Sequence, residues 1–134
     1  MSLFGFEEAS KVFIYARPTD MRKGFDGLCG LVVNHMELDP RQGYLFVFMN
    51  RPRTLIKVLL WDRDGLALYY KRLEKGSFKR PTSNINAPNS ELSKDELFMI
   101  LRGIDFDVYS GDVDPPVRRN LTPLEGSLVY VIEQ

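Results

Sequence analysis

Residues 44–73 read YLFVFMNRPRTLIKVLLWDRDGLALYYKRL, and they carry the strongest structural signal in the chain. Three runs of aromatic and β-branched residues are separated by two turn-like segments, Asn50-Arg51-Pro52-Arg53 and Asp62-Arg63-Asp64-Gly65. Aromatic and β-branched side chains favour strands, and connections this short join strands that run in opposite directions. The segment therefore predicts a three-stranded antiparallel meander.

The residues before the meander predict a strand and then a helix. Residues 12–15 form a short apolar run that ends at Arg17-Pro18, because the residue before proline is pushed into extended geometry. Thr19 can serve as a helix N-cap, with Asp20 in the first turn. Apolar residues then recur at spacings of three or four, which is the pattern of a helix that packs one face on a sheet; they are Met21, Phe25, Leu28, Val32 and Met36.

Apolar side chains are expected on both faces of the sheet. In the central strand, alternation places Ile56, Val58 and Leu60 on one face. The other face receives Leu59 and Trp61, together with Leu55 and Lys57. The first helix can cover only one face, so the second must meet another element, a partner chain or a ligand.

The C-terminal part predicts a short second helix and an irregular tail. Ser93 and Glu96 have the spacing of a capping box, and Gly103 can end the helix in a left-handed conformation. Residues 107–127 hold several glycines and prolines, whereas residues 128–132 have strand propensity and could pair with an open sheet edge. The predicted fold is α+β: an antiparallel meander packed by one longer N-terminal helix and a short second helix over residues 1–106, and an irregular extension over residues 107–134.

Charge is distributed unevenly along a chain whose net charge is zero. Residues 1–81 hold 14 Lys and Arg against 9 Asp and Glu, whereas residues 82–134 hold 4 against 9. Such asymmetry between halves indicates contact with nucleic acid. The alternative is that the acidic half neutralises the basic half within one molecule.

The meander gives the basic residues a predicted meeting place. Alternate connections of an antiparallel sheet lie at the same end, so the turn at 50–53 should lie beside the turn at 74–77. Five basic residues would then share one rim that could bind phosphates, unless the rim is simply solvated; they are Arg51, Arg53, Lys71, Arg72 and Lys75. Arg22 and Lys23, expected in the first turn of the helix, would form either a second basic contact or an ion pair with Asp20 or Asp26 at helical spacing.

Enzymatic and metal sites find little support in the sequence. Cys29 and His35 are the only residues of their kinds, and Asp62 and Asp64 lack the later ligands of a calcium loop. Asp20, Asp62 and Glu74 could form a two-metal carboxylate site only if they met, and Asp62 and Glu74 are predicted at opposite ends of the meander. No apolar run approaches the length of a membrane span, and the start of the chain lacks a secretory pattern. We therefore expect a cytoplasmic protein without catalytic residues, cofactor or metal.

Several segments resemble one protein family. The resemblance is carried by residues 18–28, Phe46-Val47-Phe48, Asn50-Arg51, Lys57, Trp61-Asp62, Gly65, residues 71–76 and Phe78. These motifs resemble those of the accessory protein encoded by the second open reading frame of insertion sequence 66 type transposons, often called TnpB. The chain departs from that pattern at Met49, Pro52 and Ser77, which thins the basic cluster.

The resemblance implies a non-enzymatic protein that is encoded beside a transposase and is needed for the element to move. Two mechanisms remain open: DNA binding through the basic rim, or a protein adaptor that holds the transposase through the second apolar sheet face. In a third version, the acidic tail covers the rim until a partner displaces it. The expected partners are DNA and the transposase of the same element, and self-association stays open.

Overall fold

A computed structural model describes residues 6–79, 87 and 89–103, together with the backbone of residues 127–133. A turn of 3₁₀-helix at Phe6–Glu8 precedes the first strand. The remaining elements are, in chain order, β1 (Val12–Ile14), α1 (Phe25–Asn34), β2 (Leu45–Met49), β3 (Leu55–Asp62), β4 (Gly65–Leu73), β5 (Ser90–Leu92), α2 (Lys94–Arg102) and β6 (Ser127–Glu133).

The six strands form one mixed sheet in the order β5-β1-β2-β3-β4-β6. β2, β3 and β4 are joined as an antiparallel meander, and β5 and β6 add antiparallel strands at the two edges. β1 is parallel to β2, with Phe13 opposite Phe46. The α+β class is confirmed, whereas the expectation of an antiparallel sheet is wrong at β1. The connection through α1 returns the chain to the end of the sheet where β1 began, and such a crossover produces parallel neighbours.

The first helix starts later than the sequence predicts. Thr19 is not its N-cap, because the Thr19 N–H donates to the carbonyl of Met49 at 2.8 Å and keeps this part of the chain on β2. Residues 20–23 form a turn, and α1 begins at Phe25 with Gly24 as its N-cap. A Cβ on Gly27 would lie 3.0 Å from the Cβ of Lys23, so glycine lets this turn pack closely on the helix.

The predicted apolar stripe nevertheless faces the sheet. Leu28, Val32 and Met36 are fully buried in one cluster, which Met21 and Phe25 also join. The sheet contributes the fully buried side chains of Phe46, Phe48, Leu59 and Leu68 to this cluster.

The opposite face of the sheet is covered within the same chain. Three apolar residues of α2 are buried in one cluster with Ile56, Val58 and Tyr69 of the sheet; they are Leu97, Ile100 and Leu101. The predicted capping box of Ser93 and Glu96 begins this helix, and Gly103, at φ 75°, ends it in the left-handed conformation. The second sheet face is therefore not available for a transposase, and the adaptor hypothesis is wrong about the surface it would use.

The C-terminal run pairs with an edge of this sheet. β6 lies antiparallel to β4, with Tyr130 opposite Tyr70. The predicted strand propensity of residues 128–132 is thus confirmed. The expected irregular segment was 107–127: Ser127 lies in β6, and residues 107–126 lie outside the described residues. The division at residues 106 and 107 stays a prediction.

Candidate nucleic-acid interface

Two turns are neighbours at one end of the sheet, as the meander predicts. The N–H of Phe78 donates to the carbonyl of Arg53 at 2.6 Å, and the N–H of Leu73 donates to the carbonyl of Thr54 at 2.9 Å. These bonds continue the pairing of β3 with β4, in which Leu55 lies opposite Arg72. The segment after β4 therefore runs along the turn that joins β2 to β3.

The turn between β2 and β3 is held in shape by one side chain. The Asn50 Oδ1 accepts hydrogen bonds from the N–H groups of Thr54 and Leu55, both at 2.9 Å. The Asn50 Nδ2 donates to the Thr54 hydroxyl at 3.0 Å. Arg53 has a φ of 58° in this turn. An Asn side chain that satisfies its own turn in this way fixes where Arg51 and Arg53 leave the sheet.

Four basic side chains make up what we call the basic rim: Arg51, Arg53, Arg72 and Lys75. Arg51, Arg72 and Lys75 are exposed and Arg53 is half-buried. Arg72 binds the carboxylate of Glu74, with Nη2 and Oε2 3.0 Å apart. Within the described residues, no carboxylate forms an ion pair with Arg51, Arg53 or Lys75. Three positive charges of the rim therefore have no acidic partner in the described part of the chain.

Lys71 does not belong to this surface, and its assignment to the phosphate contact is wrong. Its side chain is fully buried, and its Nζ donates to the carbonyl of Leu101, near the end of α2, at 2.7 Å. Alternation along β4 places Lys71 on the same face as Ala67 and Tyr69, which are core residues under α2. A carbonyl at a helix C-terminus is a favourable partner for a buried ammonium group.

Arg22 and Lys23 lie at the same end of the sheet as the basic rim. They are in the turn before α1 and not in its first helical turn. The Arg22 guanidinium binds Asp20, with Nη2 and Oδ2 2.8 Å apart. Hydrogen bonds from the Arg22 side chain and backbone lower the pKa of Asp20 to about 2, so the carboxylate stays ionised and offsets the charge of Arg22. The pair spans two residues, which differs from the helical spacing that the sequence suggested.

The turn that carries Arg22 and Lys23 is fastened to β3 by a buried lysine. The Lys57 Nζ donates to the carbonyl of Met21 at 2.9 Å and to that of Lys23 at 2.8 Å. It also lies 4.6 Å from the centre of the Tyr70 ring. Burial lowers the pKa of Lys57, and Asp20 opposes this shift. Lys57 is therefore a structural anchor for the turn.

A cleft of about 450 Å³ opens beside the rim, where β1 and β2 end. Arg17, Arg51 and Arg53 are all among the residues that line it. Sequence reasoning missed Arg17, which was interpreted only as the residue that ends the first strand. In the structure Arg17 lies three residues beyond the end of β1, and the carboxyl ends of the parallel strands β1 and β2 meet at one edge of the sheet. No sequence pattern indicates this pairing, so the sequence could not place Arg17 there.

The residues considered for a metal site or for catalysis do not form such a site in the described part of the chain. Residues 62–65 form the predicted hairpin turn, with Asp62 opposite Gly65. Burial raises the pKa of the Cys29 thiol, which makes it a poor nucleophile. Among the described residues, no group of three His, Cys, Asp or Glu side chains could hold a metal ion. The described helices are all too short or too polar to cross a membrane.

Comparison with known proteins identifies the family. The pattern described as IS66 Orf2-like protein matches residues 10–110, which include β1 to α2, the basic rim and the cleft. The chain belongs to the IS66 Orf2-like family. Membership associates this IS66 Orf2-like chain with transposition in an accessory role, as the resemblance implied.

Two relatives of this IS66 Orf2-like chain come from Sinorhizobium fredii. Uncharacterized protein y4hO is 38% identical over 96 residues, which cover 72% of this chain and 82% of the relative. Uncharacterized protein y4jC is 29% identical over 104 residues, which cover 78% of this chain and 87% of the relative. No solved structure matches the chain.

Proposed function

We propose that the chain is a non-enzymatic accessory protein of DNA transposition that contacts DNA phosphates through the basic rim. One observation carries the proposal. Arg51, Arg53 and Lys75 lie on adjoining turns of one sheet, and no described carboxylate pairs with them. Uncompensated positive charge on a fixed scaffold is what a polyanion requires.

The chemistry of the rim suits the phosphates of a DNA backbone. Arginine presents planar N–H donors whose geometry matches a phosphate oxygen pair, and lysine adds a point charge. Contacts of this kind fix the protein on the DNA backbone without reading its sequence. Arg72, Arg22 and Lys23 would enlarge the contact, although Glu74 and Asp20 already offset part of their charge.

The proposal can be tested with two variants that lose the same number of charges. The rim variant carries Arg51→Gln, Arg53→Gln and Lys75→Gln. The opposite-end variant carries Lys11→Gln, Arg41→Gln and Arg63→Gln; these exposed residues lie near the start of β1, before β2 and in the hairpin between β3 and β4. We expect the rim variant to lose retention on immobilised circular duplex DNA, and the opposite-end variant to keep most of it.

The transposase of the same element is the proposed protein partner. If the chain acted as an adaptor for that transposase instead of binding DNA, the result would differ. An adaptor would associate with the transposase independently of salt and would not be retained on DNA. Because α2 covers the second sheet face, such an adaptor would need a different surface from the one first expected. Equal DNA retention by both variants, or none by the wild type, would reject the rim as the functional site.

A further inference from the structure

The cleft beside the rim exists because the chain leaves its parallel pairing at the end of β1. The N–H of Tyr15 donates to the carbonyl of Val47 at 2.9 Å, and a regular parallel ladder would next join residue 17 to Met49. The N–H of Thr19 takes that place instead, at 2.8 Å from the Met49 carbonyl oxygen. Residues 16–18 therefore bow out of the sheet, and they form one wall of the cleft.

The charge in the cleft exceeds what one internal DNA phosphate carries. Arg17, Arg51 and Arg53 all line it, and none has a carboxylate partner among the described residues. A phosphodiester bears a single negative charge, whereas a phosphate monoester bears about 1.5 to 2 near neutral pH. Three guanidinium groups are therefore better matched to a terminal phosphate than to a bridging one.

The cleft also offers an apolar wall, formed by Ile14, Tyr15, Pro18 and Met49. Its volume of about 450 Å³ lies in the range of sites that hold whole small molecules, so it can hold more than a lone phosphate.

We propose that this cleft binds a nucleoside monophosphate group, with the phosphate between the three guanidinium groups and the sugar and base against the apolar wall. The proposal rests on the DNA-contact function and deepens it. The group has two sources, which are the 5′-phosphorylated end of a DNA strand and a free nucleoside monophosphate. Binding at a strand end would place the rest of the duplex along the basic rim.

Asn50→Asp is the sharpest variant for this cleft. A carboxylate can still accept the N–H groups of Thr54 and Leu55, and the Thr54 hydroxyl can donate to it, so the turn is kept. The variant places a negative charge among the cleft-lining residues, beside Arg51. Gln42→Glu adds the same charge on an exposed residue before β2, at the opposite end of the sheet, and serves as the matched control.

The experiment measures affinity of the full chain for one duplex that carries either a 5′-phosphate or a 5′-hydroxyl, with circular duplex DNA and free deoxyadenosine monophosphate as further probes. We expect the 5′-phosphorylated duplex to bind about tenfold more tightly than its hydroxyl form, the gain expected of charge-assisted hydrogen bonds. Asn50→Asp should abolish this preference, and Gln42→Glu should keep it. Thermal unfolding of both variants verifies that each is folded.

The probes separate this proposal from the DNA-contact function. Tight binding of free deoxyadenosine monophosphate that Asn50→Asp removes, without a preference for phosphorylated ends, would assign the cleft to the free nucleotide. Circular DNA bound normally, with neither an end preference nor nucleotide binding, would overturn the cleft proposal and leave the rim intact. If the wild type failed to bind circular DNA but still preferred the 5′-phosphorylated duplex, the rim proposal would be overturned and the cleft proposal would stand.

Discussion

Single side chains at the rim have roles that their position in the sequence only partly predicts. Period-2 alternation along β4 groups Lys71 with Ala67 and Tyr69, so its burial could have been predicted once that face was known to be covered. Nearness to a turn in the sequence assigns basic residues to the rim, and this criterion predicts Lys71 on the same surface as Arg72. The sequence placed Asn50 in a turn but did not predict its two acceptor bonds, because they depend on the path of residues 51–55.

Asn50→Ala should destabilise the protein by about 1 to 3 kcal/mol, because two backbone N–H groups and the Thr54 hydroxyl lose their partner. Urea unfolding measures the change. Asn34→Ala is the control, since Asn34 is exposed on α1 and should change the free energy of unfolding by less than about 0.5 kcal/mol. Equal values for the two variants would show that Asn50 does not hold the turn.

Tyr69 should make the protein less stable in alkali. Burial raises the pKa of Tyr69 to about 12, from an ordinary value near 10. Between these values the unfolded tyrosine loses its proton and the folded one keeps it, so the free energy of unfolding falls as pH rises, by up to about 3 kcal/mol. Below pH 10 both forms are neutral and this group adds no pH dependence.

The comparison with Tyr69→Phe isolates that contribution. The variant should lose less stability than the wild type between pH 10 and pH 12, as measured by urea unfolding at several pH values. Lys57, whose lowered pKa acts in the opposite sense, is common to both proteins. Identical slopes would mean that Tyr69 ionises as easily in the folded state as in the unfolded one.

At the scale of elements, local patterns predicted what was formed but not how it was paired. The three runs, the hairpin at 62–65 and the capping box of α2 follow from residues close in sequence. The direction of β1 depends on where the chain returns after α1, which no local pattern encodes. The start of α1 was misplaced because Thr19-Asp20 looks like a cap, while long-range bonds from Thr19 and Lys57 hold residues 19–23 in another shape.

Lys57→Met should loosen the turn before α1. The carbonyls of Met21 and Lys23 would lose their donor, and we expect a loss of about 1 kcal/mol in the free energy of unfolding. The Lys23 amide, which donates to Asp20 in this turn at 3.1 Å, should exchange its hydrogen faster. Hydrogen exchange read by nuclear magnetic resonance measures both effects.

The control for this change is Lys79→Met, which removes an exposed lysine. It should leave the exchange of the Lys23 amide unchanged. An equally slow Lys23 amide in Lys57→Met would show that the turn holds its shape without the buried ammonium group.

For the molecule as a whole, the zero net charge conceals a cluster of basic residues at one end of the sheet. The basic rim, the cleft and the turn at 20–23 all lie at one end of the sheet, whereas the hairpin at 62–65 lies at the other. The sequence predicted this end from the connectivity of the meander. It could not show that Glu74 and Asp20 would offset Arg72 and Arg22, because those pairs depend on side-chain directions at the turns.

The salt dependence of DNA affinity tests the DNA-contact function most directly. For circular duplex DNA, the logarithm of the association constant should fall linearly with the logarithm of salt concentration. The rim variant should have a slope shallower than the wild type by about 2 to 3, near one unit for each lost phosphate contact. The opposite-end variant, with the same net charge, should keep the wild-type slope; equal slopes in the rim variant and the wild type would contradict the proposed contact.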